Sequence, residues 1–325
     1  MKLFLRSHSA LGLTVIAQGV FTWIYLWFLG FQGWEHVLYV ILMQGLFIFG
    51  YLSYRWMEEY KLYNWIESEE DGTRVIPSLG NSFFSKALQQ RIRAGKEAAD
   101  RKIIESEAAV KERATFMNQW VHQMKTPISV IQLMIKDYDD PVFQDIRKEI
   151  FRLEEGLKTV LYSSRLSLFE KDYFIESFAI QPFMQNLIKE NKRLFFQFGV
   201  YPNIVMEQEE LSITSDQKWL KFVIEQLLSN AVKYSTEKSD KLDIKVEKQS
   251  DHVRLTITDH GIGIPDQDRR RVFEPYFTGV NGRKYHESTG MGLYLVKEIL
   301  SKLSHEFSME TKVDEGTSFC IYFEV

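Results

Sequence analysis

Two stretches near the N-terminus constrain this chain more than anything else in it. Residues 10–31, ALGLTVIAQGVFTWIYLWFLGF, and residues 37–54, VLYVILMQGLFIFGYLSY, contain no charged side chain. Each approaches the roughly 20 apolar residues that a helix needs to cross about 30 Å of hydrocarbon. The first is too long and too aromatic for a cleaved signal peptide, and no small-residue cleavage site follows it. Two spanning helices are expected. Lys2 and Arg6 precede the first, Arg55 and Lys61 follow the second, and residues 32–36 between them hold no lysine or arginine. The positive-inside rule then places both termini in the cytoplasm, on a protein of the cell membrane. Trp23, Trp27, Trp34 and Trp56 are candidates for the interfacial belt. The loop between the spans is too short to fold into a ligand-binding domain. Any stimulus must act within the membrane, at its surface, or through a membrane partner.

Beyond the spans, the 325 residues leave room for two or three units. A net charge of -4 gives no reason to expect nucleic-acid binding. The single cysteine, Cys320, excludes an intrachain disulfide framework and reads as a small core side chain in a terminal strand. Residues 57–79 are polar and mixed in charge, with turns expected at Asp71-Gly72 and Pro77. A charged helical run begins at Asn81 or Ser82. Its heptad positions Ile103, Val110 and Ala114 are apolar, but Asp100 and Glu107 interrupt them. A partly polar coiled coil that carries motion from the membrane is the expected result.

In residues 115–137, TFMNQWVHQMKTPISVIQLMIKD, the apolar Met117, Val121, Met124, Ile128, Ile131 and Ile135 are spaced alternately four and three apart. That is a heptad seam, so this helix packs against others. His122 falls just after a seam position and faces solvent. Thr126 lies one turn on, and Pro127 should bend or loosen the helix there, because it lacks an N–H and crowds the carbonyl of Gln123. After a turn at residues 136–141, Phe143, Ile146, Ile150, Leu153, Leu157 and Val160 mark the core positions of a second helix. Two amphipathic helices bury little alone. An antiparallel hairpin that pairs with another into a dimeric four-helix bundle is the natural solution, which predicts a homodimer. From Phe174 onward short strands and helices alternate, as in an α+β domain of about 150 residues with a largely antiparallel sheet and a closing hairpin.

That C-terminal part carries four polar or glycine-rich boxes. In EQLLSNAVKYS, Gln226 and Asn230 are four apart and share a helix face. An amide oxygen such as that of Asn230 can ligate Mg2+ while nucleotide phosphates supply the charge. Lys233 can meet those phosphates, and the Tyr234 ring can pack against the nucleotide. In DHGIGIP, Asp259 at a strand end could accept the exocyclic amine of adenine, and Gly261 and Gly263 let backbone approach the ring. RVFEPYF opens a glycine-rich, basic stretch that reads as a lid, with Arg283 and Lys284 as phosphate contacts. In GMGLYLVK, Gly290, Gly292 and Leu293 open a helix whose first N–H groups suit a triphosphate. Thr317 in the closing hairpin could reach adenine.

Each box alone is ambiguous, but together, in this order, they resemble the Bergerat (GHKL) ATP-binding fold. The sequence His122-Gln123-Met124-Lys125-Thr126-Pro127 likewise resembles the H box of bacterial sensor histidine kinases. The short two-span anchor, the glutamine after the histidine and SNAVKYS most resemble intramembrane-sensing kinases of the bacitracin-sensor, BceS-like type. The resemblance implies residues 1–56 as anchor and sensor, 57–99 as linker, 100–170 as phosphotransfer hairpin and 171–325 as ATP-binding domain. It also implies ATP and Mg2+ as cofactors, His122 as phosphoacceptor, a response regulator as acceptor, and an ABC transporter permease as neighbour. Thr126 corresponds to the family position that orients water for dephosphorylation of the regulator. Gln123 departs from the family's usual acidic residue, because an amide can orient the imidazole but cannot take up its proton. A non-catalytic nucleotide-binding scaffold and a gyrase- or chaperone-like ATPase stay open as alternatives.

Overall fold

The computed structural model describes residues 8–30, 34–67, 79–138, 140–206, 211–235, 239–249, 251–279 and 289–324. Lys2, Arg6, the turns at Asp71-Gly72 and Pro77, the side chain of Trp34, and the lid residues Arg283 and Lys284 lie outside the described residues. The chain divides into two compact units, Met1–Glu107 and Ala108–Val325.

The first unit holds α1 (Ser9–Phe28) and α2 (Trp34–Glu67). Both are long and apolar enough to cross a membrane, over Ala10–Phe28 and Leu38–Ile66. The second runs well past the expected break at residue 57. The stretch MEEYKLYNWIE has no glycine or proline to end a helix, and Tyr54–Glu58 and Arg55–Glu59 pair across single turns.

The long helix α3 (Phe83–Met134) starts at Ser82, whose hydroxyl accepts from the N–H of Ser85. It continues as one helix through Pro127. Proline removes a single hydrogen bond, and buried Val121 and Ile128 hold the helix on either side of it. α4 (Pro141–Leu166) follows, with Asp140 accepting from Val142 N–H and Pro141 in the first turn.

Val121, Ile128 and Ile135 of α3 form one core with Ile150 and Leu157 of α4. These α3 positions, with buried Ala114, repeat every seven residues and form the fully buried line of the expected seam, while Met124 on the alternate line packs half-buried against the same core. Ile131 on the alternate line stays 43% exposed, Ile103 is exposed, and on α4 Leu153 is 58% exposed and Val160 is also exposed. Leu153 and Val160 are therefore not core within one chain. A two-helix pair has only one mutual face, and these residues sit off it.

The C-terminal part of the second unit begins with a short α5 (Phe169–Asp172) and continues with β1 (Glu176–Ala179), α6 (Ile180–Glu190), α7 (Lys192–Phe198), β2 (Tyr201–Met206), β3 (Ser212–Ser215) and α8 (Gln217–Ser235). Next come β4 (Lys241–Lys248), β5 (His252–Asp259), α9 (Gly292–Lys302), β6 (Glu306–Lys312) and β7 (Gly316–Glu324). One sheet has the order β2-β4-β5-β7-β6, parallel only at β2–β4, and β1 pairs with β3 separately. The strands alternate, as half-covered sheets do: Leu242, Ile244 and Val246 on β4 are buried with Val253, Leu255 and Ile257 on β5. Trp219, Phe222, Leu295 and Ile299 of α8 and α9 share that core. Cys320 departs from expectation. It stands in the last strand but points away from the core, because Phe319 and Ile321 on either side take the buried face.

Candidate nucleotide site and phosphoacceptor helix

The expected nucleotide residues converge on one cavity of about 540 Å³. α8 supplies Gln226, Asn230, Lys233 and Tyr234, the end of β5 supplies Asp259, and the start of α9 brings Gly290, Gly292 and Leu293. Thr317 enters because β7 pairs with β5 in a register that sets Thr317 opposite Asp259. Asp259 is only 8% exposed. Its Oδ1 accepts from the N–H groups of Gly261 at 3.0 Å and Thr317 at 3.2 Å. Burial nevertheless dominates and pushes its carboxyl up to about 6 from an ordinary 3.8.

The glycines of the second box are also required by the chain's own packing. A Cβ at Gly261 would lie 2.2 Å from the Tyr234 carbonyl oxygen, and one at Gly263 would lie 2.1 Å from that of Lys312. Gly263 lies on the cavity wall, but Gly261 does not. These glycines let the loop pack between the end of α8 and the β6–β7 hairpin. Gly263 also has φ +62, a conformation that other residues adopt at a cost. Thr311 fastens the same loop, accepting from Ile264 N–H and bonding the Gly316 carbonyl and the Thr317 hydroxyl.

Three features leave room for a nucleotide. The buried Gln226 Nε2 has no hydrogen-bond partner in the cavity wall. Both N–H bonds to Asp259 go to one oxygen, and no described residue donates to Oδ2. The first N–H groups of α9 have no partner within the helix, and the helix dipole favours phosphate there.

One wall was not foreseen. Lys148, Phe151, Arg152, Glu155, Gly156 and Thr159 of α4 line the cavity opposite α8. Tyr162 stacks on Phe222 at 3.9 Å and meets Trp219 edge-on, while Lys158 bridges Glu225 of α8 and Glu155. Burial raises Glu155, with Lys158 pulling back and Glu225 pushing further up, and burial takes the Tyr162 hydroxyl to about 12. The α4 residues read as one amphipathic helix in the sequence. Only the chain's return from α5 through α8 shows which of them face the cavity.

His122, Gln123 and Thr126 are exposed on α3 and are not part of the cavity wall. Arg165 donates to Asn118 one turn before His122, and Gln132 donates to Glu154. His122 is therefore level with α4 residues beyond Thr159, whereas the cavity faces residues 148–159.

Residues 215–325 match the family model described as histidine kinase-, DNA gyrase B-, and HSP90-like ATPase, so this part is an ATP-binding domain of that kind. Sensor histidine kinase YxdK of Bacillus subtilis (strain 168) is 47% identical over 318 residues, covering 98% of this chain and 97% of that protein. Sensor protein BceS of the same strain is 29% identical over 292 residues, covering 89% and 86%. The structure of Acinetobacter baumannii histidine kinase AdeS is 21% identical with a TM-score of 0.45, covering 62% of this chain and 97% of that one. The chain belongs to the two-component sensor histidine kinases, in their BceS-like group. It is an ATP-dependent protein-histidine kinase of the membrane.

Proposed function

We propose that His122 is the phosphoacceptor and that the cavity between α8 and α9 presents ATP to it. The reading is carried by one observation: an exposed imidazole stands on α3, and the helix packed against α3 walls the nucleotide cavity. Asp259 orients the purine through its amine, and the α9 N-terminus and Lys233 hold phosphate. Asn230 would offer an amide oxygen to Mg2+, which would supply positive charge against the phosphates. One imidazole nitrogen attacks the γ-phosphorus, its bond to the bridging oxygen breaks, and ADP leaves. The ring then gives up the proton on its other nitrogen. Gln123 orients the ring but cannot accept that proton, so exposure to solvent supplies the acceptor.

The cavity must travel along the hairpin from residues 148–159 to the level of His122, so the docked arrangement is a resting one. Two antiparallel α3–α4 hairpins pair through Ile131, Leu153 and Val160 into a four-helix bundle, and phosphohistidine passes its group to an aspartate of a response regulator. Thr126 orients water for the reverse, phosphatase reaction. Both termini face the cytoplasm, residues 1–56 anchor and sense, 57–99 link, 100–170 carry the hairpin and 171–325 bind ATP. An ABC transporter permease relays envelope stress to the short membrane hairpin. Incubation with γ-labelled ATP tests the core of this: label appears on an acid-labile, alkali-stable residue and is lost in His122→Gln. Undiminished labelling of that variant refutes the site.

A further inference from the structure

The membrane hairpin contains two polar side chains that lipid cannot satisfy. Gln18 sits near the middle of the span Ala10–Phe28, and Gln44 lies seven residues into the apolar run 37–54. The remaining hydroxyls of α1 near Gln18 are already satisfied within the helix: Thr14 bonds the Leu11 carbonyl at 2.8 Å and Thr22 bonds that of Gln18 at 2.8 Å. No hydrogen bond from the Gln18 or Gln44 side chain to a described residue is made within the chain. Gln18 is exposed, on the flank of the half-covered line Leu11, Val15 and Gly19, and Gln44 is half-buried with Val40 and Ile48. Counting back from the connection between α1 and α2, both stand at the same depth.

We infer that Gln18 and Gln44 form an amide layer at the membrane midplane that joins the spans of two copies of this chain. This rests on the homodimer proposed above and places its intramembrane contact. Each amide carries one acceptor and two donors, so it can pair with another amide but finds neither group in hydrocarbon. A two-fold axis along the membrane normal brings like residues to identical depth without further adjustment. Two copies contribute four amides at one level, and donors and acceptors can then close on each other. A different membrane protein would have to present its own polar group at that one depth.

The test uses full-length protein in membrane vesicles, with Cys320→Ser removing the sole cysteine. Gln18→Cys is oxidised beside Ile16→Cys and Val20→Cys, which sit at similar depth on the opposite face of α1. Leu153→Cys reports the cytoplasmic half independently. The expected result is a disulfide-linked dimer several-fold more abundant at position 18 than at 16 or 20, and reduced again when Gln44→Leu is added but kept with Gln44→Asn. Dimer at 153 with nothing above background at 18 overturns the amide layer and leaves the homodimer standing. Absence at both positions overturns the homodimer itself, and a position-18 adduct to a different protein overturns the second copy as occupant.

Discussion

Asp259, proposed above to hold the purine, carries its charge at a cost to the empty fold. Its carboxyl is pushed up to about 6 by burial, against an ordinary 3.8. A raised folded-state value means that this group supports the fold fully below the unfolded value, and that support is lost as pH rises through about 6. At neutral pH the ionised side chain costs the empty domain on the order of 2–3 kcal/mol, which a nucleotide donor at Oδ2 offsets. Asp259→Asn keeps the acceptor for Gly261 and Thr317 and removes the charge. Thermal unfolding without nucleotide should show the variant more stable at pH 7.5 and unchanged at pH 4, while ATP binding by calorimetry is lost. ATP affinity of the native protein should fall as pH drops below about 6. Gly263 supplies a second residue-level prediction: Gly263→Ala meets the Lys312 carbonyl and a strained φ, costing about 1–3 kcal/mol from conformation alone. Urea unfolding of the variant measures it. That Asp259 and Asn230 would meet at one cavity was legible from the boxes that carry them. The reason for Gly261 was not, since Tyr234 comes close to it only after α8 and β5 pack.

At the scale of elements, the helices and strands follow from period and punctuation, whereas partnerships do not. The heptad seam of α3 was visible, but which of its lines α4 would cover depends on the rotation of two helices. Neither Leu153 nor Ile131 carries that information. The same holds for the α4 wall of the cavity, which exists because Tyr162 finds Trp219 and Phe222 about sixty residues away. Lys158 is the charge centre of that contact. Lys158→Met leaves buried Glu225 and half-buried Glu155 without their shared cation. Hydrogen exchange should then accelerate along the first turns of α8 and in the connection at residues 167–175. Because burial raises Glu155, mild acidification should tighten docking in the native protein, and Glu155→Gln should remove that response.

For the whole molecule, the proposed homodimer would cover the exposed apolar residues Ile131, Leu153 and Val160 of α3 and α4. Leu153→Asp should convert the detergent-solubilised protein from two chains per particle to one by light scattering, with nucleotide binding retained. The two membrane-length helices were readable from composition and the amphipathic helices from period, whereas ATP binding was legible only through the resemblance that the four boxes carry together. The cooperation of these parts is what the central claim concerns, namely that an exposed histidine receives phosphate from a nucleotide bound by the C-terminal part. The most direct measurement is tandem mass spectrometry, under alkaline work-up, of peptides from protein incubated with ATP. The account predicts a phosphoryl group on the histidine of the tryptic peptide 114–125, whose sole imidazole is His122. Steady ATP hydrolysis with that peptide unmodified, or phosphate mapped to another residue, would contradict it.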